Sequence, residues 1–370
     1  MRILQITPYL DPKIGGQEKH VLALSEALSR LGHNVTILTC GSYPSSIVKS
    51  FDVFKISSLK LLGLRIMSVK ELTRFLKEYR FEVCHLHHQT IFGETVLLVT
   101  KIHKLPTVTT LHSLMLRKIP AKFLYDRISL RFVSALSSKV ICLSPGIMQS
   151  LVRRGLKRSK CVVIPNAINV RSLKDQFRKK GKELHEPKFD LLFVGRLERR
   201  KGVRLLLKSL ALLHRKGKKY TLRIVGHGPL THELRKLISA NNLSQYVKLL
   251  GYVPQQELLK CYLLTKVVVI PSLYEGVPTV ALEAMAAGKP LIVSNIPGLN
   301  ELVINGGNGL LVNPTDTQKL AFAIDTLLTS PNYLNSINNV NEKVLARFDW
   351  HVVANDVAKI YREVLSGDCV

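Results

Sequence analysis

Two carboxylates eight residues apart, Glu275 and Glu283, stand in a stretch that runs from Pro271 through Gly276, Val277, Pro278 and Thr279 to Gly288. The apolar run Val267–Ile270 before it reads as a strand, and Pro278 suits the first turn of a helix. Glu275 then sits in the loop, and Glu283 lies over a turn deeper in the helix. A carboxylate accepts two hydrogen bonds side by side, which suits a vicinal diol. The helix N-terminus between them offers N–H groups to an anion such as a diphosphate. One strand–loop–helix unit can thus read a sugar hydroxyl, a diphosphate and a ribose diol. An ordinary helix with one exposed and one partly paired glutamate would give the same spacing.

Other phosphate and metal motifs are weaker. Gly288-Lys289-Pro290 lacks the upstream Gly and the Ser/Thr of a P-loop. Gly226-His227-Gly228-Pro229 follows a strand and opens a helix without a third glycine, so its main promise is backbone amides facing a ligand. No Asp-x-Asp occurs, which argues against a divalent-metal clamp on a nucleotide diphosphate. His85, His87 and His88 fall on a strand with 85 and 87 on one face and 88 on the other. No carboxylate or Cys completes a ligand set nearby in sequence, so no metal site is expected.

The elements that must position these groups alternate strand and helix, which predicts α/β domains with doubly wound parallel sheets. Ile3–Thr7, Val35–Thr39, Val83–Leu86, Thr107–Leu111, Lys139–Leu143 and Val162–Ile164 form one strand series, with a helix from Gly15-Gly16 to Leu31. The polar segment Arg171–Lys188 reads as a linker. Leu191–Val194, Leu222–Val225, Val247–Leu249, Val267–Ile270, Leu291–Val293 and Leu310–Val312 form a second series. The expected organisation is a first domain over 1–170, a linker over 171–189 and a second domain over 190–349. A C-terminal helix in 350–370 is expected to return to the first domain. Ligands of such sheets bind beyond the carboxyl ends of the strands, and the cleft between two such domains is the expected site.

With 370 residues the chain is long enough for two domains that each bury a core. The 46% hydrophobic content excludes wholesale disorder, and no apolar run spans a bilayer. Met1–Pro8 lacks the apolar core of a signal peptide. Six scattered Cys without a Cys-x-x-Cys fit reduced thiols in a cytoplasm. The net charge of +28 points to an anionic partner: nucleic acid, an anionic lipid surface or a phosphorylated substrate. A generally basic or thermophilic proteome accounts for the same excess. Basic residues outnumber acidic ones 25 to 9 over residues 1–170 and 29 to 17 over 171–370, so no discrete nucleic-acid arm exists.

Six segments in order carry a resemblance to retaining glycosyltransferase family 4, whose architecture is GT-B: two doubly wound, Rossmann-like domains facing across a cleft. Gly15-Gly16-Gln17-Glu18-Lys19-His20 resembles its N-terminal glycine loop, Val83–His88 the strand end at the cleft, and Thr109–Ser113 the active-site histidine segment. Ile164–Asn169 resembles the segment before the interdomain linker, Gly195–Gly202 the Gly-Arg-Leu…Lys-Gly element, and Glu275–Glu283 the E-x7-E motif. The resemblance implies that Arg196 and Lys201 neutralise the leaving diphosphate in place of a metal. It implies that Glu275 binds the transferred sugar, Glu283 the ribose, and His112 a sugar hydroxyl. Gly15, Gly16, Gly226, His227, Gly228, Gly276, Val277, Pro278 and Thr279 complete the implied donor site, with no cofactor and no metal. A strand-end histidine satisfied by backbone is the plain alternative for His112.

The resemblance implies a hexosyltransferase that moves a hexose or N-acetylhexosamine from a nucleotide diphosphate sugar. A nucleotide-sugar epimerase or phosphorylase on the same fold, or a non-catalytic regulatory subunit, are the competing readings. The last is disfavoured by the presence of His112, Arg196, Lys201, Glu275 and Glu283 together. Residues 114–139 carry Arg117, Lys118, Lys122, Arg127, Arg131 and Lys139 against the single acid Asp126, interleaved with Leu116, Ile119, Phe123, Leu124, Ile128 and Phe132. Arg153, Arg154, Lys157, Arg158 and Lys160 add a second basic cluster. A basic amphipathic helix of this kind suits an anionic membrane surface and a lipid-linked or glycan acceptor. A packed surface helix with a solvated basic face has the same composition. The expected location is cytoplasmic, peripheral at the inner membrane face, with no nucleic-acid partner.

Overall fold

The computed structural model describes residues 1–11, 16–44, 51–61, 64–87, 91–112, 120–182, 188–330 and 334–367. The chain divides into two compact units, Met1–Asn166 with Trp350–Val370, and Ala167–Asp349.

The first unit holds strands β1 (Arg2–Thr7), β2 (Asn34–Thr39), β3 (Asp52–Lys55), β4 (Ser58–Leu61), β5 (Leu64–Met67), β6 (Val83–Leu86), β7 (Thr107–Leu111), β8 (Lys139–Cys142) and β9 (Cys161–Val163). Seven of them pair in parallel in the order β3-β2-β1-β6-β7-β8-β9, while β4 and β5 form a separate antiparallel hairpin. Successive residues of β1, β6 and β7 are buried. That is the near-continuous burial of strands covered on both faces. The chain turns back across the sheet between β1 and β6, so the loops at their carboxyl ends diverge there.

The last helix, Trp350–Ser366, belongs to this unit. Trp350, Val353, Ala354, Val357, Ala358, Tyr361 and Val364 form its buried stripe at helical spacing, and it packs on the Gly16–Arg30 helix.

The second unit holds β10 (Phe189–Val194), β11 (Leu222–Val225), β12 (Val247–Gly251), β13 (Thr265–Ile270), β14 (Leu291–Ser294) and β15 (Gly309–Val312). They form one parallel sheet in the order β12-β11-β10-β13-β14-β15, with its switch point between β10 and β13. The period of two along each strand separates two cores. Leu191 and Phe193 enter one layer with the Val203–Arg215, Thr231–Ala240 and Thr317–Thr329 helices, whereas Leu192 enters the other.

Of the residues expected as a linker, 171–181 differ. Val170–Gly181 is a helix that buries Leu173 and Phe177 in the second layer. Asn169 caps it by accepting from the Ser172 N–H at 3.0 Å, and Asp349 accepts from the Val170 N–H at 2.9 Å. The buried pair four residues apart supplies a narrow apolar stripe, and the many charges between them face outward, which hides the helix in the sequence. Among the described residues no helix is long and apolar enough to cross a membrane.

Candidate active site

Three strand ends of the second unit converge around its switch point. The loop after β10 carries Arg196, Arg200 and Lys201, and the loop after β13 carries Ser272, Glu275, Gly276, Val277 and Pro278. Gly202 ties the two loops together. Its φ of +68° is left-handed, and a Cβ there would stand 1.7 Å from the Pro271 carbonyl oxygen. Only a residue without Cβ permits that approach. The Leu273 N–H donates to the Arg200 carbonyl at 2.7 Å and adds a second tie. As a result the Lys201 ammonium donates to Glu275 Oε2 in a mostly buried ion pair. Ser272 Oγ donates to the same oxygen at 3.3 Å, and Arg200 lies 3.9 Å from the other oxygen while also pairing with Glu198 at 2.7 Å.

The helix expected after Pro278 runs Thr279–Ala286 with Pro278 at its N-cap. It carries Glu283 into the half-buried layer behind the loop, where the Tyr262 hydroxyl donates to Glu283 Oε2 at 2.7 Å. Burial and the neighbouring Glu283 charge push the Tyr262 hydroxyl well above its ordinary pKa, so it stays a donor. The loop after β11 packs on the loop after β10. A Cβ on Gly226 would stand 1.9 Å from the Gly195 carbonyl oxygen, and one on Gly228 2.5 Å from that of Leu197. Both glycines are therefore required by loop-on-loop packing, whatever they face beyond it. His227 is exposed between them and its carbonyl accepts from the Leu197 N–H at 3.1 Å. Arg196 is exposed and makes no ion pair among the described residues.

The structure brings Lys201 and Glu275 together and sets Glu283 one turn into the adjoining helix. His112 belongs to the first unit, at the end of β7. There the His87 Nδ1 and the His112 Nε2 lie 3.2 Å apart, and His20 stacks edge-on to His112 with ring centroids 4.7 Å apart. His87 follows β6, and His20 comes from the Gly16–Arg30 helix that follows β1, so this cluster marks the switch point of the first sheet. Burial pushes the His20 imidazole down to about 4, against the hydrogen bond it donates to Asn166 Oδ1, which favours its charged form. Burial also holds His85 and His87 well below the ordinary range, so all three are neutral near pH 7. Gly16 opens the helix, and a Cβ there would meet nothing within 4 Å. Gly15 and His88 lie outside the described residues.

Arg200, Ser272 and Tyr262 join the site without standing out in the sequence. Arg200 is in plain view beside Lys201, whereas Ser272 and Tyr262 carry no signal apart from the fold. Sequence spacing groups His87 with His85 and His88; the His85 ring does lie 4.1 Å from that of His87, and the fold adds the rings of His112 and His20 at 5.4 and 5.6 Å.

Comparison with known proteins accounts for both units. The family model for glycosyl transferases group 1 matches residues 174–344, and that for glycosyltransferase family 4 matches residues 14–172. An uncharacterized glycosyltransferase of Methanocaldococcus jannaschii is 30% identical over 98% of this chain and 98% of its own length. A phosphatidyl-myo-inositol mannosyltransferase of Mycolicibacterium smegmatis is 26% identical over 99% of this chain and 95% of its own. Among solved structures, Anabaena Alr3699/HepE in complex with UDP-glucose superposes with a TM-score of 0.80 at 21% identity, covering 98% of this chain and 100% of that one. Both units thus have the Rossmann-like sheets of the GT-B fold. The chain is a member of glycosyltransferase family 4.

Proposed function

We propose that this glycosyltransferase is a retaining, metal-independent hexosyltransferase that uses a nucleotide diphosphate sugar. The observation that carries the reading is the Lys201–Glu275 ion pair at the switch point of β10 and β13, beside the start of the Thr279–Ala286 helix. A diphosphate at that helix start meets backbone N–H groups and the Lys201 and Arg196 cations. Glu275 takes sugar hydroxyls, and Glu283, oriented by Tyr262, takes the ribose diol. The solved complex of the similar Anabaena protein with UDP-glucose supports a donor of this class.

In the chemical step the bond from the anomeric carbon to the donor phosphate oxygen breaks. The acceptor oxygen bonds to that carbon from the same face, and its proton passes to the departing phosphate. Lys201 and Arg196 stabilise the charge that grows on the leaving group, which is where preorganised cations contribute most. His112 contacts a hydroxyl of the transferred sugar, and Gly16 admits the donor phosphate. The acceptor is a lipid-linked or glycan hydroxyl; the similarity to a phosphatidyl-myo-inositol mannosyltransferase supports the lipid class. A panel of nucleotide sugars incubated with the protein, read by donor cleavage and by the anomeric configuration of the product, tests this. Cleavage with retained configuration supports the proposal. Epimerised donor, inverted product or no cleavage of any donor overturns it.

A further inference from the structure

We propose that His20, His87 and His112 form a three-imidazole site for a borderline divalent cation of the zinc type, completed by water. One ring nitrogen from each residue lies within 4.8 Å of the other two. A tetrahedral zinc ion with bonds of about 2.1 Å holds its ligand nitrogens about 3.4 Å apart. The His87–His112 pair, at 3.2 Å, already has that spacing. The widest gap in the cluster, no more than 4.8 Å, needs to close by at most about 1.4 Å, within reach of small ring rotations.

The surrounding hydrogen bonds set the tautomers that ligation needs. Gln5 presents Nε2 to the Tyr361 hydroxyl, so its Oε1 accepts from His87 Nε2. That leaves the lone pair of His87 on Nδ1, the nitrogen facing His112. His20 Nδ1 donates to Asn166 Oδ1 at 3.0 Å, which leaves its lone pair on Nε2. A ligating histidine whose other nitrogen donates to a carbonyl is the usual arrangement of metal sites. His85, whose ring lies 4.1 Å from that of His87, is not a ligand, because its two nitrogens meet the Tyr361 hydroxyl and Thr110 Oγ1, the latter at 2.7 Å. The Trp350 ring stands edge-on to His20 at 5.0 Å and forms an apolar wall of the site.

The proton balance is closed. The contact between His87 Nδ1 and His112 Nε2 holds one proton, carried by His112. A cation entering between them displaces that proton, to His112 Nδ1 or to solvent, and the three rings bind as neutral imidazoles. Imidazole nitrogens favour zinc, nickel, copper and cobalt over magnesium or calcium, which prefer oxygen. The site differs in kind from a magnesium clamp on a diphosphate. Its consequence for transfer rests on the proposed role of His112: a bound cation holds that imidazole away from the sugar and inhibits the enzyme.

The test uses tag-free, chelator-stripped protein titrated with Co²⁺ and then Zn²⁺. One Co²⁺ per chain should give visible d–d bands of a four- or five-coordinate ion, and Zn²⁺ should displace it while excess Mg²⁺ does not. His112→Ala and His20→Ala, each checked for folding by circular dichroism, should weaken binding by about 100-fold or more, and His232→Gln should not. The half-exposed His112 keeps the test decisive if the His20 variant fails to fold. No stoichiometric binding, or wild-type affinity in folded His112→Ala, overturns the site. With an active donor, stoichiometric Zn²⁺ should suppress turnover and chelator should restore it; full turnover with zinc bound overturns the capture of His112. Absorption reports binding whether or not any donor is turned over, so the site and the transferase reading fail separately.

Discussion

The Tyr262 hydroxyl donates to Glu283 Oε2 at 2.7 Å, tying the Gln255–Leu264 helix to the helix that carries the second glutamate of the motif. Tyr262 is fully buried and Glu283 is half-buried. A hydrogen bond to a charged group contributes about 1.5–3 kcal/mol, so Tyr262→Phe should lower stability by that order. If Glu283 binds the ribose rather than the reacting carbon, as proposed, the change should also raise the donor KM more than it lowers kcat. Thermal melts and steady-state kinetics check both; a donor KM equal to wild type would count against Glu283 as the ribose ligand.

Lys201 and Glu275 neutralise each other in this structure and should act differently when replaced. With the proposed role of Lys201, Lys201→Ala removes a cation from the leaving group and should slow transfer by about 100-fold, roughly 3 kcal/mol in the barrier. Glu275→Gln keeps the shape, removes the charge and should also abolish most transfer. Single-turnover rates on variants with wild-type circular dichroism are the measurement, and undiminished rates in both would remove this pair from the site.

Much of this site is legible before folding is considered. The apolar runs of β10, β11, β13 and β14 and the E-x7-E spacing stand in the sequence because buried parallel strands and helix starts leave local signals. The Val170–Gly181 helix resembles a linker in sequence because Leu173 and Phe177 are its only buried residues among many charges. The hairpin of β4 and β5 leaves no mark there, since four-residue strands give almost no periodicity. The histidine cluster lies beyond any local signal: strand order, not spacing, brings His20 and His112 to His87. Gly226 and Gly228 look ligand-facing in the sequence, whereas contact with Gly195 and Leu197 already requires them.

Gly202 and Gly217 separate backbone strain from close approach. Both have positive φ, +68° and +82°, but only Gly202 faces a carbonyl within bonding distance of a would-be Cβ, while Gly217 has nothing within 4 Å. Gly217→Ala should cost about 1–2 kcal/mol, the left-handed penalty alone. Gly202→Ala adds the displacement of Pro271 and should cost about 3 kcal/mol or more. It should also part Lys201 from Glu275 and lose activity out of proportion to stability. Urea denaturation of the two variants checks the order; equal losses would show that the Pro271 contact yields easily.

Transfer should persist in excess chelator. In the proposed mechanism Lys201 and Arg196 take the role that a metal clamp plays elsewhere, and no Asp-x-Asp occurs in the chain. Added Mg²⁺ should leave the rate of the chemical step within about twofold, far below the several kcal/mol that a metal on the leaving group supplies. Loss of turnover in chelator, recovered by Mg²⁺ or Mn²⁺, would contradict this assignment.

Association with an anionic membrane is the remaining proposal, and its strongest support is a surface of the first unit. The expected basic helix spans Pro120–Leu136, where Arg127 and Arg131 are exposed and Ile128 is 56% exposed. Arg117 and Lys118 lie outside the described residues, so the described charge rests on Arg127, Arg131 and the basic cluster from Arg153 to Lys160. The neighbouring Ile91–Ile102 helix packs against it and exposes Leu98 at 47% and Ile102 at 77%. Cations beside exposed aliphatic side chains suit a headgroup layer, where each basic residue contributes about 1 kcal/mol. Binding to vesicles should therefore require anionic lipid and fall with salt. Arg127→Glu with Arg131→Glu should weaken it by about 30-fold or more. Ile102→Ser should weaken binding at every salt concentration, because burying an aliphatic side chain in the acyl boundary is not screened. Equal binding to neutral and anionic vesicles, or none to either, would leave the acceptor to be sought among soluble glycans.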